Sequence, residues 1–152
     1  MYDRFIADAM LGRLARWMRF LGLDTLYYPD ISDSRLMRIA REEERCILTR
    51  DTRLIKVKGL KDYLFIKAND SLNQLLEVIN ALKLKKFKPL SRCVKCNGLL
   101  ANIQNKSEVR DSVPEFVFLN FNVFLRCHDC GKIYWEGSHP KSFREKLNKI
   151  LK

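Results

Sequence analysis

The sequence has few of the features that mark membrane, secreted or repetitive proteins. No uninterrupted apolar run comes near the roughly 18 residues that a membrane span requires. The first residues, Met1 to Arg4, contain no apolar signal core, so we expect a cytoplasmic protein with no membrane partner. Internal repeats and low-complexity segments are also lacking. These absences favour an ordinary globular protein, and an apolar share of 47% is normal for that class.

Acidic residues are too few to balance the basic ones. The chain of 152 residues carries 29 Lys and Arg against 18 Asp and Glu, which gives a formal net charge of +11. The excess of basic residues is present both before and after Leu90. A basic field of this size attracts polyanions such as nucleic acid, but a solvated, lysine-rich surface explains the charge equally well.

Short apolar segments alternate with helical patterns in the first part of the chain. The patterns predict strands at residues 4–7, 25–28, 46–49 and 63–67, and helices at residues 10–21, 34–45 and 70–84. Gly22 is the expected C-terminal cap of the first helix. This order predicts an α/β fold with a mainly parallel sheet flanked by helices.

A basic hinge at residues 83–89 ends this pattern. We predict a first domain of residues 1–88 and a second domain of residues 89–152. The second domain holds two cysteine pairs, with an aromatic, β-prone segment from Phe116 to Leu125 before the second pair. A helix from about Pro140 is expected to end the chain.

Four of the five cysteines form two CxxC pairs. The pairs are Cys93 with Cys96, and Cys127 with Cys130. Two tight turns of this kind aim four sulfurs at one ion, so the spacing predicts a structural zinc ribbon whose coordination shell is closed by four thiolates. Gly98 and Gly131 follow the two pairs and suit the positive-φ positions of such turns.

Two other uses of cysteine fit this chain less well. A redox CxxC normally opens a helix of a thioredoxin-like unit, and that interpretation leaves the second CxxC pair unexplained. Disulfides do not suit a cytosolic protein. The fifth cysteine, Cys46, begins a predicted strand and is expected to be a buried core residue.

Three acidic residues are placed where predicted strands end. Asp8 follows the first strand, Asp51 follows the third, and Asp33 opens the helix after the second. Because the carboxyl ends of parallel strands share one edge of a sheet, we expect these three side chains to converge. Such oxygen ligands suit Mg²⁺ or Mn²⁺. The chemistry that this cluster supports is phosphodiester hydrolysis by a metal-activated water.

Each acid also has a plain structural interpretation. Asp33 would be a helix cap if the helix begins at Ser34, and Asp51 would be a turn residue. Asp30 lies in the same loop as Asp33 and is a rival to it. Asp70 is a possible fourth ligand, although capping the next helix is its simpler role.

Arginines line one side of the first two predicted helices. They are Arg13, Arg16 and Arg19 on the first helix, and Arg38, Arg41 and Arg45 on the second. Beside an acidic cluster, such stripes can hold a nucleic-acid backbone. The alternative is a pair of solvated faces with partners four residues apart, such as Arg38 with Glu42.

Specific motifs occur in three parts of the chain. They are the run from Ile6 to Gly22, the segments Asp33-Ser34-Arg35-Leu36 and Ile47-Leu48-Thr49-Arg50-Asp51, and the two cysteine pairs followed by Tyr134-Trp135-Glu136-Gly137-Ser138-His139. Together these motifs closely resemble the Mut-seven C-terminal RNase family. In that family a PIN-like nuclease domain is fused to a zinc ribbon, and the resemblance spans nearly the whole chain.

The resemblance implies a metal-dependent ribonuclease. It implies that Asp8, Asp33 and Asp51 are catalytic ligands for Mg²⁺ or Mn²⁺. We expect the zinc ribbon to assist RNA binding. The predicted RNA contacts are Arg13, Arg16, Arg19 and Arg50.

The chain departs from the wider PIN pattern in one respect. Broader PIN nucleases carry a fourth acid before the position of Asp33, and the region here offers only Asp24 and Asp30. The number of catalytic metals is therefore open. For His139, in the closing motif, a structural role and an RNA-contacting role are both open.

Two other functions compete with the ribonuclease. One is a non-catalytic RNA-binding or adaptor protein with a PIN-like fold, in which the acids only cap helices and form turns. The other is a nuclease that acts on DNA. The retention of Asp8, Asp33 and Asp51 on one predicted sheet edge favours the enzyme, and the oligomeric state is open.

Overall fold

The computed structural model describes residues 2–138 and 141–150. The chain divides into two compact units, Met1–Asn97 and Gly98–Lys152. The domain division after residue 88 stays a prediction. In the described ranges, no helix combines the length and the apolar character needed to cross a membrane.

The first unit is built on a four-stranded parallel sheet. Its strands are β1 (Arg4–Ala7), β2 (Asp24–Tyr27), β3 (Cys46–Thr49) and β4 (Tyr63–Phe65), in the order β2-β1-β3-β4. Its helices are α1 (Gly12–Phe20), α2 (Asp33–Glu42) and α3 (Ser71–Leu82). The predicted α/β fold with a parallel sheet is confirmed.

The two faces of this sheet have different helices against them. Ile6 and Ile47 lie in one core cluster with Leu36 and Ala40 of α2. Successive side chains of a strand alternate between faces, so the neighbouring Phe5 and Ala7 point the other way. Helices α1 and α3 pack against each other. The indole N–H of Trp17 in α1 donates to the hydroxyl of Ser71 in α3 at 3.0 Å.

The sheet order determines where a site can form. Strand β1 pairs with β2 on one side and with β3 on the other, and Ala7 lies opposite Leu48. The connection from β1 therefore leads away from β3. Such a reversal leaves a crevice at the carboxyl ends of the two central strands, which is where open α/β sheets bind ligands.

The C-terminal end of α1 is capped as predicted, whereas α2 and α3 end earlier in the chain than predicted. Gly22 ends α1 as predicted, with φ +85°, and the N–H of Leu23 donates to the carbonyl of Met18 at 3.0 Å. Helix α2 stops at Glu42 because Glu44 has φ 54°. Helix α3 stops at Leu82 because Lys83 has φ 53°.

The second unit contains a three-stranded antiparallel sheet. Its strands are β5 (Leu100–Asn102), β6 (Leu125–Cys127) and β7 (Ile133–Tyr134), in the order β5-β6-β7. Its described residues also form two α-helices, α4 (Glu115–Asn120) and α5 (Lys141–Ile150). The four clustered cysteines and this small sheet are consistent with the predicted zinc ribbon. The predicted terminal helix is also confirmed, although Pro140 lies outside the described residues.

One predicted extended segment is wrong in its first half. Residues 116–120 belong to helix α4, and strand β6 begins only at Leu125. Pro114 directly before the helix and the acidic Glu115 in its first turn are helix-start signals, and they outweigh the β propensity of the aromatic residues.

Candidate active site and cysteine cluster

Three carboxylates meet at the carboxyl edge of the parallel sheet. One oxygen each from Asp8, Asp33 and Asp51 lies within 4.8 Å of the others. Asp8 follows β1, Asp51 lies two residues beyond β3, and Asp33 is the first residue of α2. The structure thus brings together the three acids that the sequence singles out, and their role as metal ligands stays a prediction.

Asp8 is the most firmly held of the three acids. It is 4% exposed, and its backbone N–H donates to the carbonyl of Leu48 at 2.9 Å. Its Oδ1 accepts the N–H of Ala9 at 2.8 Å, and its Oδ2 accepts the Thr49 hydroxyl at 2.7 Å. Each carboxylate oxygen keeps lone-pair capacity after one such bond, so a fixed, buried carboxylate can still bind a cation.

Thr49 is a site residue that the sequence analysis did not single out. Its side chain is fully buried, and its hydroxyl donates to Asp8 while it accepts the N–H of Asp51 at 3.0 Å. Asp51 in turn accepts the N–H of Arg53 at 2.8 Å. The sequence does contain a signal for this role, because a threonine ends a buried strand close to an acid. A buried hydroxyl needs a hydrogen-bond partner, and the acid can supply one.

Asp33 is not the cap of its helix. Ser32 occupies that position, and its side chain accepts the N–H of Arg35 at 3.3 Å. The capping interpretation of Asp33 is therefore wrong. Partial desolvation of its carboxylate, and then the negative charges of Asp8 and Asp51, raise the pKa of the exposed Asp33. A divalent cation at this site would relieve that repulsion.

The other candidate acids lie outside the cluster. Asp70 caps α3 by accepting the N–H of Asn73 at 3.0 Å. Asp24 pairs with Arg45, and Asp30 is exposed. Within residues 2–138 and 141–150, no fourth carboxylate joins the group.

The predicted RNA-binding arginines differ in their availability. Arg13 and Arg16 are exposed on α1. Arg19 is 5% exposed, and its guanidinium donates to the carbonyls of Thr25, Val94 and Lys95 at 2.8, 3.1 and 3.2 Å. The prediction for Arg19 is therefore revised, because its donors already serve buried backbone acceptors.

Two further arginines also make internal hydrogen bonds. Arg50 is half-buried and donates to the carbonyl of Ala68 and, at 2.9 Å, to the side chain of Asn69. An RNA contact by Arg50 stays a prediction. Arg45 lies beyond the end of α2 and is buried, so it does not belong to an exposed stripe on that helix.

A cavity of about 510 Å³ lies beside the turn that follows Asp8. Ala9, Gly12, Arg13, Tyr27 and Asn69 are among its lining residues. The Tyr27 hydroxyl donates to the carbonyl of Ala9 at 2.8 Å, and a Cβ on Gly12 would lie 2.9 Å from that hydroxyl. Gly12 thus makes room for a tyrosine that holds the turn after Asp8.

The four predicted zinc ligands also form a cluster. The sulfurs of Cys93, Cys96, Cys127 and Cys130 all lie within 4.8 Å of one another. The N–H groups of Asp129 and Cys130 donate to the sulfur of Cys127 at 3.4 and 3.5 Å. Hydrogen bonds of this kind orient a metal-binding sulfur, and all five cysteines are free of disulfides. The donor set therefore fits a structural Zn²⁺.

The turns after the two cysteine pairs use their glycines differently. Gly131 has the expected positive φ, +78°. After the first pair, the positive φ of 73° falls on Asn97, so the expectation for Gly98 is wrong. Gly98 is needed instead because a side chain would not fit at this position. A Cβ there would lie 2.6 Å from Asp129 Oδ2 and 2.8 Å from Cys127 Sγ.

A polar network in the first unit was not evident from the sequence. Asn97 donates to Asp24 at 2.7 Å and accepts the N–H of Thr25 at 2.9 Å, and Arg45 donates to Asp24 at 2.8 Å. Burial raises the pKa of Asp24, but the hydrogen bonds from Arg45 and Asn97 and the charges of Arg45 and Arg92 outweigh burial and hold that pKa below its ordinary value.

Two remaining predictions concern Cys46 and His139. Cys46 is fully buried, as expected, and burial followed by the charge of Asp62 raises the pKa of its thiol to about 12. It is therefore unreactive at neutral pH. His139 lies outside the described residues.

Comparison with known proteins gives one match. The model of the Mut7-C RNAse domain matches residues 3–147, which include the three aspartates and the four cysteines. No curated protein and no solved structure matches the chain. Because the matched region covers nearly the whole sequence, the chain belongs to the Mut7-C RNAse domain family.

Proposed function

We propose that this protein is a metal-dependent ribonuclease that hydrolyses RNA phosphodiester bonds at Asp8, Asp33 and Asp51. Membership of an RNase domain family supports the reaction class. The observation that carries the metal dependence is the convergence of one oxygen from each of the three carboxylates within 4.8 Å. Such crowding of negative charge is favourable when a divalent cation neutralises it.

The three acids have different supports, and we assign them different tasks. Asp8, fixed by Thr49 and Ala9, is the rigid ligand. Asp51, oriented by the N–H of Arg53, is the second ligand. Asp33 is exposed at the first turn of α2, where the helix dipole also favours negative charge. A bound Mg²⁺ or Mn²⁺ would activate a water molecule and neutralise charge on the scissile phosphate.

RNA binding is the second part of this proposal. Arg13 and Arg16 are exposed on α1, and Arg13 lines the cavity beside the turn that follows Asp8. Phosphate contacts by such residues would hold the substrate without reading its bases. The zinc ribbon, also in a basic part of the chain, would assist binding. We further propose that the protein acts in the cytoplasm.

The experiment that tests the proposal compares substrates and metals. Purified protein is incubated with RNA and DNA of the same sequence, each with Mn²⁺, with Mg²⁺ or with EDTA. We expect cleavage of RNA that requires the divalent metal. Preferential cleavage of DNA would favour the DNA nuclease. RNA binding without cleavage under any metal would favour the adaptor protein and contradict the enzyme.

A further inference from the structure

Arg19 is a buried cation that the proposed ribonuclease reaction does not use. It lies in the last turn of α1 and is 5% exposed. None of the ion pairs in the described part of the chain involves it, whereas Arg45, which is also buried, pairs with Asp24 and Glu43. A buried charge is costly unless an opposite charge and hydrogen bonds compensate it. The burial of Arg19 therefore requires a source of negative charge other than a paired carboxylate.

Two of the acceptors of Arg19 lie in the first cysteine turn, residues 93–96. The Nη1 of Arg19 donates to the carbonyl of Val94 at 3.1 Å and to that of Lys95 at 3.2 Å, the two residues between the cysteines. Its Nε donates to the carbonyl of Thr25 at 2.8 Å. All of these residues belong to the first unit. The guanidinium thus holds the middle of a turn that presents two sulfurs.

The first cysteine turn also brings negative charge close to Arg19. Burial lowers the pKa of Arg19, and the charges of Cys96 and Cys93 oppose that shift. Four thiolates around one Zn²⁺ carry a net charge of about −2. A zinc centre with excess negative charge and a buried guanidinium therefore compensate each other.

The end of the first cysteine turn is held by a different residue. The N–H of Asn97 donates to the carbonyl of Cys93 at 2.8 Å, and its side chain donates to Asp24 at 2.7 Å. This arrangement fixes where the turn ends. The hydrogen bonds from Arg19 fix the peptide groups inside the turn, whose orientation determines where the sulfurs point.

We propose that Arg19 is the positioning residue and the counter-ion of the first cysteine turn, and that it raises the affinity of the cysteine cluster for zinc. The inference is independent of the ribonuclease reaction and rests on the assignment of a structural Zn²⁺ to the four cysteines. The alternative is an arginine that stabilises the first unit through Thr25 and has no effect on zinc.

Two substitutions of Arg19 and one matched control separate these roles. Arg19→Met removes the charge and all donors and keeps an unbranched apolar stem. Arg19→Lys keeps the charge and loses the planar fork of donors. Leu36→Ala is the control, because Leu36 is fully buried in a core cluster that contains no residue of the first cysteine turn. Its truncation destabilises the first unit without removing a contact to that turn.

The zinc dissociation constant of each full-length protein is measured by competition with a chromophoric chelator. Binding of Co²⁺ in place of zinc reports the thiolate ligands through their charge-transfer absorption. We expect Arg19→Met to raise the Kd for zinc about 10- to 100-fold, as is typical for residues behind metal ligands, and Arg19→Lys to raise it less. Leu36→Ala should stay within about twofold of the wild type, because distant sites act independently.

Three results would contradict the proposal. An unchanged Kd in Arg19→Met would overturn it, and so would an equal rise in Arg19→Met and Leu36→Ala, which would trace the effect to general stability. A rise as large in Arg19→Lys as in Arg19→Met would overturn the counter-ion role.

A second measurement uses the wild-type protein and does not depend on the folding of a variant. By linkage, a residue that favours zinc binding is itself held more firmly when zinc is bound, by the same factor. Hydrogen exchange of the Arg19 guanidinium is followed by NMR of its nitrogens before and after zinc is removed. We expect the Nη1 protons to exchange about tenfold faster or more without zinc, while the Nε proton, bonded to Thr25, changes little. Equal exchange of the Nη1 protons in both states would overturn the proposal.

The zinc assignment and the role of Arg19 fail in different ways. No zinc in the purified wild type would overturn the assignment and the role of Arg19 with it. Full zinc content with equal affinity in the wild type and Arg19→Met would overturn the role of Arg19 alone and leave the structural zinc standing.

Discussion

At the scale of single residues, Thr49 links two of the three acids of the site. Its hydroxyl donates to Asp8 and accepts from the backbone of Asp51, and it has no access to solvent. Groups behind metal ligands fix their orientation, and their loss typically lowers metal affinity or activity by about 10- to 100-fold. Thr49 is therefore a positioning residue of the proposed site.

Thr49→Val keeps the shape of the side chain and removes the hydroxyl. We expect cleavage at limiting Mn²⁺ to fall about tenfold and the concentration of Mn²⁺ at half-maximal rate to rise. Stability should fall by about 1 to 2 kcal/mol, because the Asp51 N–H loses its acceptor. Thr49→Ser should restore the Mn²⁺ response, and Thr52→Val, at an exposed threonine, is the matched control. An unchanged Mn²⁺ response in Thr49→Val would contradict the positioning role.

The proposed ligands were predictable from the sequence, and the residues that support them were not. Asp8, Asp33 and Asp51 follow from strand ends, which the apolar patterns reveal. The guanidinium of Arg19 can be buried because it donates to three backbone carbonyls. Two of these carbonyls belong to residues 75 and 76 positions away in sequence. The helical pattern of the sequence does not reveal such distant acceptors. It therefore does not distinguish a buried arginine such as Arg19 from an exposed one.

At the scale of elements, a polar network fastens the start of β2 to the segment that follows the first cysteine pair. Asp24 accepts hydrogen bonds from Arg45 and Asn97, and Arg45 is 6% exposed. Without the charge of Asp24, the buried Arg45 guanidinium would keep its ion pair with the more exposed Glu43 and lose the less exposed partner. The stability of the first unit should therefore depend on Asp24.

Asp24→Asn should lower the free energy of unfolding at pH 7 by about 2 kcal/mol. The pKa of Asp24 is lower in the folded state than in the unfolded state. The contribution of Asp24 to the free energy of unfolding is therefore present above its unfolded-state pKa, and it is lost as pH falls through its folded-state pKa. The variant and the wild type should therefore converge in acid. Urea unfolding at several pH values measures this, with the exposed Asp30→Asn as control. A difference that stays constant into strong acid would be inconsistent with this role of Asp24.

The element boundaries that were mispredicted share a physical cause. Residues 43–45 are two glutamates and an arginine, which favour helix, and Leu84 continues the apolar spacing of α3. Glu44 and Lys83 nevertheless adopt positive φ and end their helices. Neither residue is glycine, so the usual sign of a helix end is missing. In α4, local start signals determined the helix, whereas the aromatic composition suggested a strand.

At the scale of the whole molecule, zinc is expected to maintain the second unit. That unit has two helices and strands of two or three residues, as described, so its own core is small. In such units the free energy of metal binding is largely free energy of folding. The cysteine cluster should therefore matter for folding and leave the chemistry of the carboxylates unchanged.

Cys127→Ser should abolish bound zinc and unfold residues beyond about Arg92, while the parallel sheet of the first unit persists. Elemental analysis measures the zinc, and hydrogen exchange measures which segments unfold. Cys46→Ala is the control, because Cys46 lies outside the cluster and should keep a full zinc content. Full zinc content in the Cys127 variant, or no zinc in the wild type, would contradict the assignment.

The proposed metal site of the ribonuclease consists of Asp8, Asp33 and Asp51. Asp8→Asn and Asp51→Asn each remove one charge and keep the size of the side chain. Loss of a ligand should cost several kcal/mol of transition-state stabilisation, about a hundredfold or more in rate. Asp33→Asn should behave alike, because Asp33 has no capping role that asparagine would preserve.

The most direct measurement is the rate of Mn²⁺-dependent RNA cleavage by these three variants. Asp30→Asn is the control, because Asp30 is an exposed acid just before Asp33 that lies outside the cluster. Circular dichroism and zinc content establish that each variant is folded. We expect Asp8→Asn and Asp51→Asn to lose cleavage while Asp30→Asn matches the wild type. Cleavage by the Asp8 and Asp51 variants at the wild-type rate would contradict it.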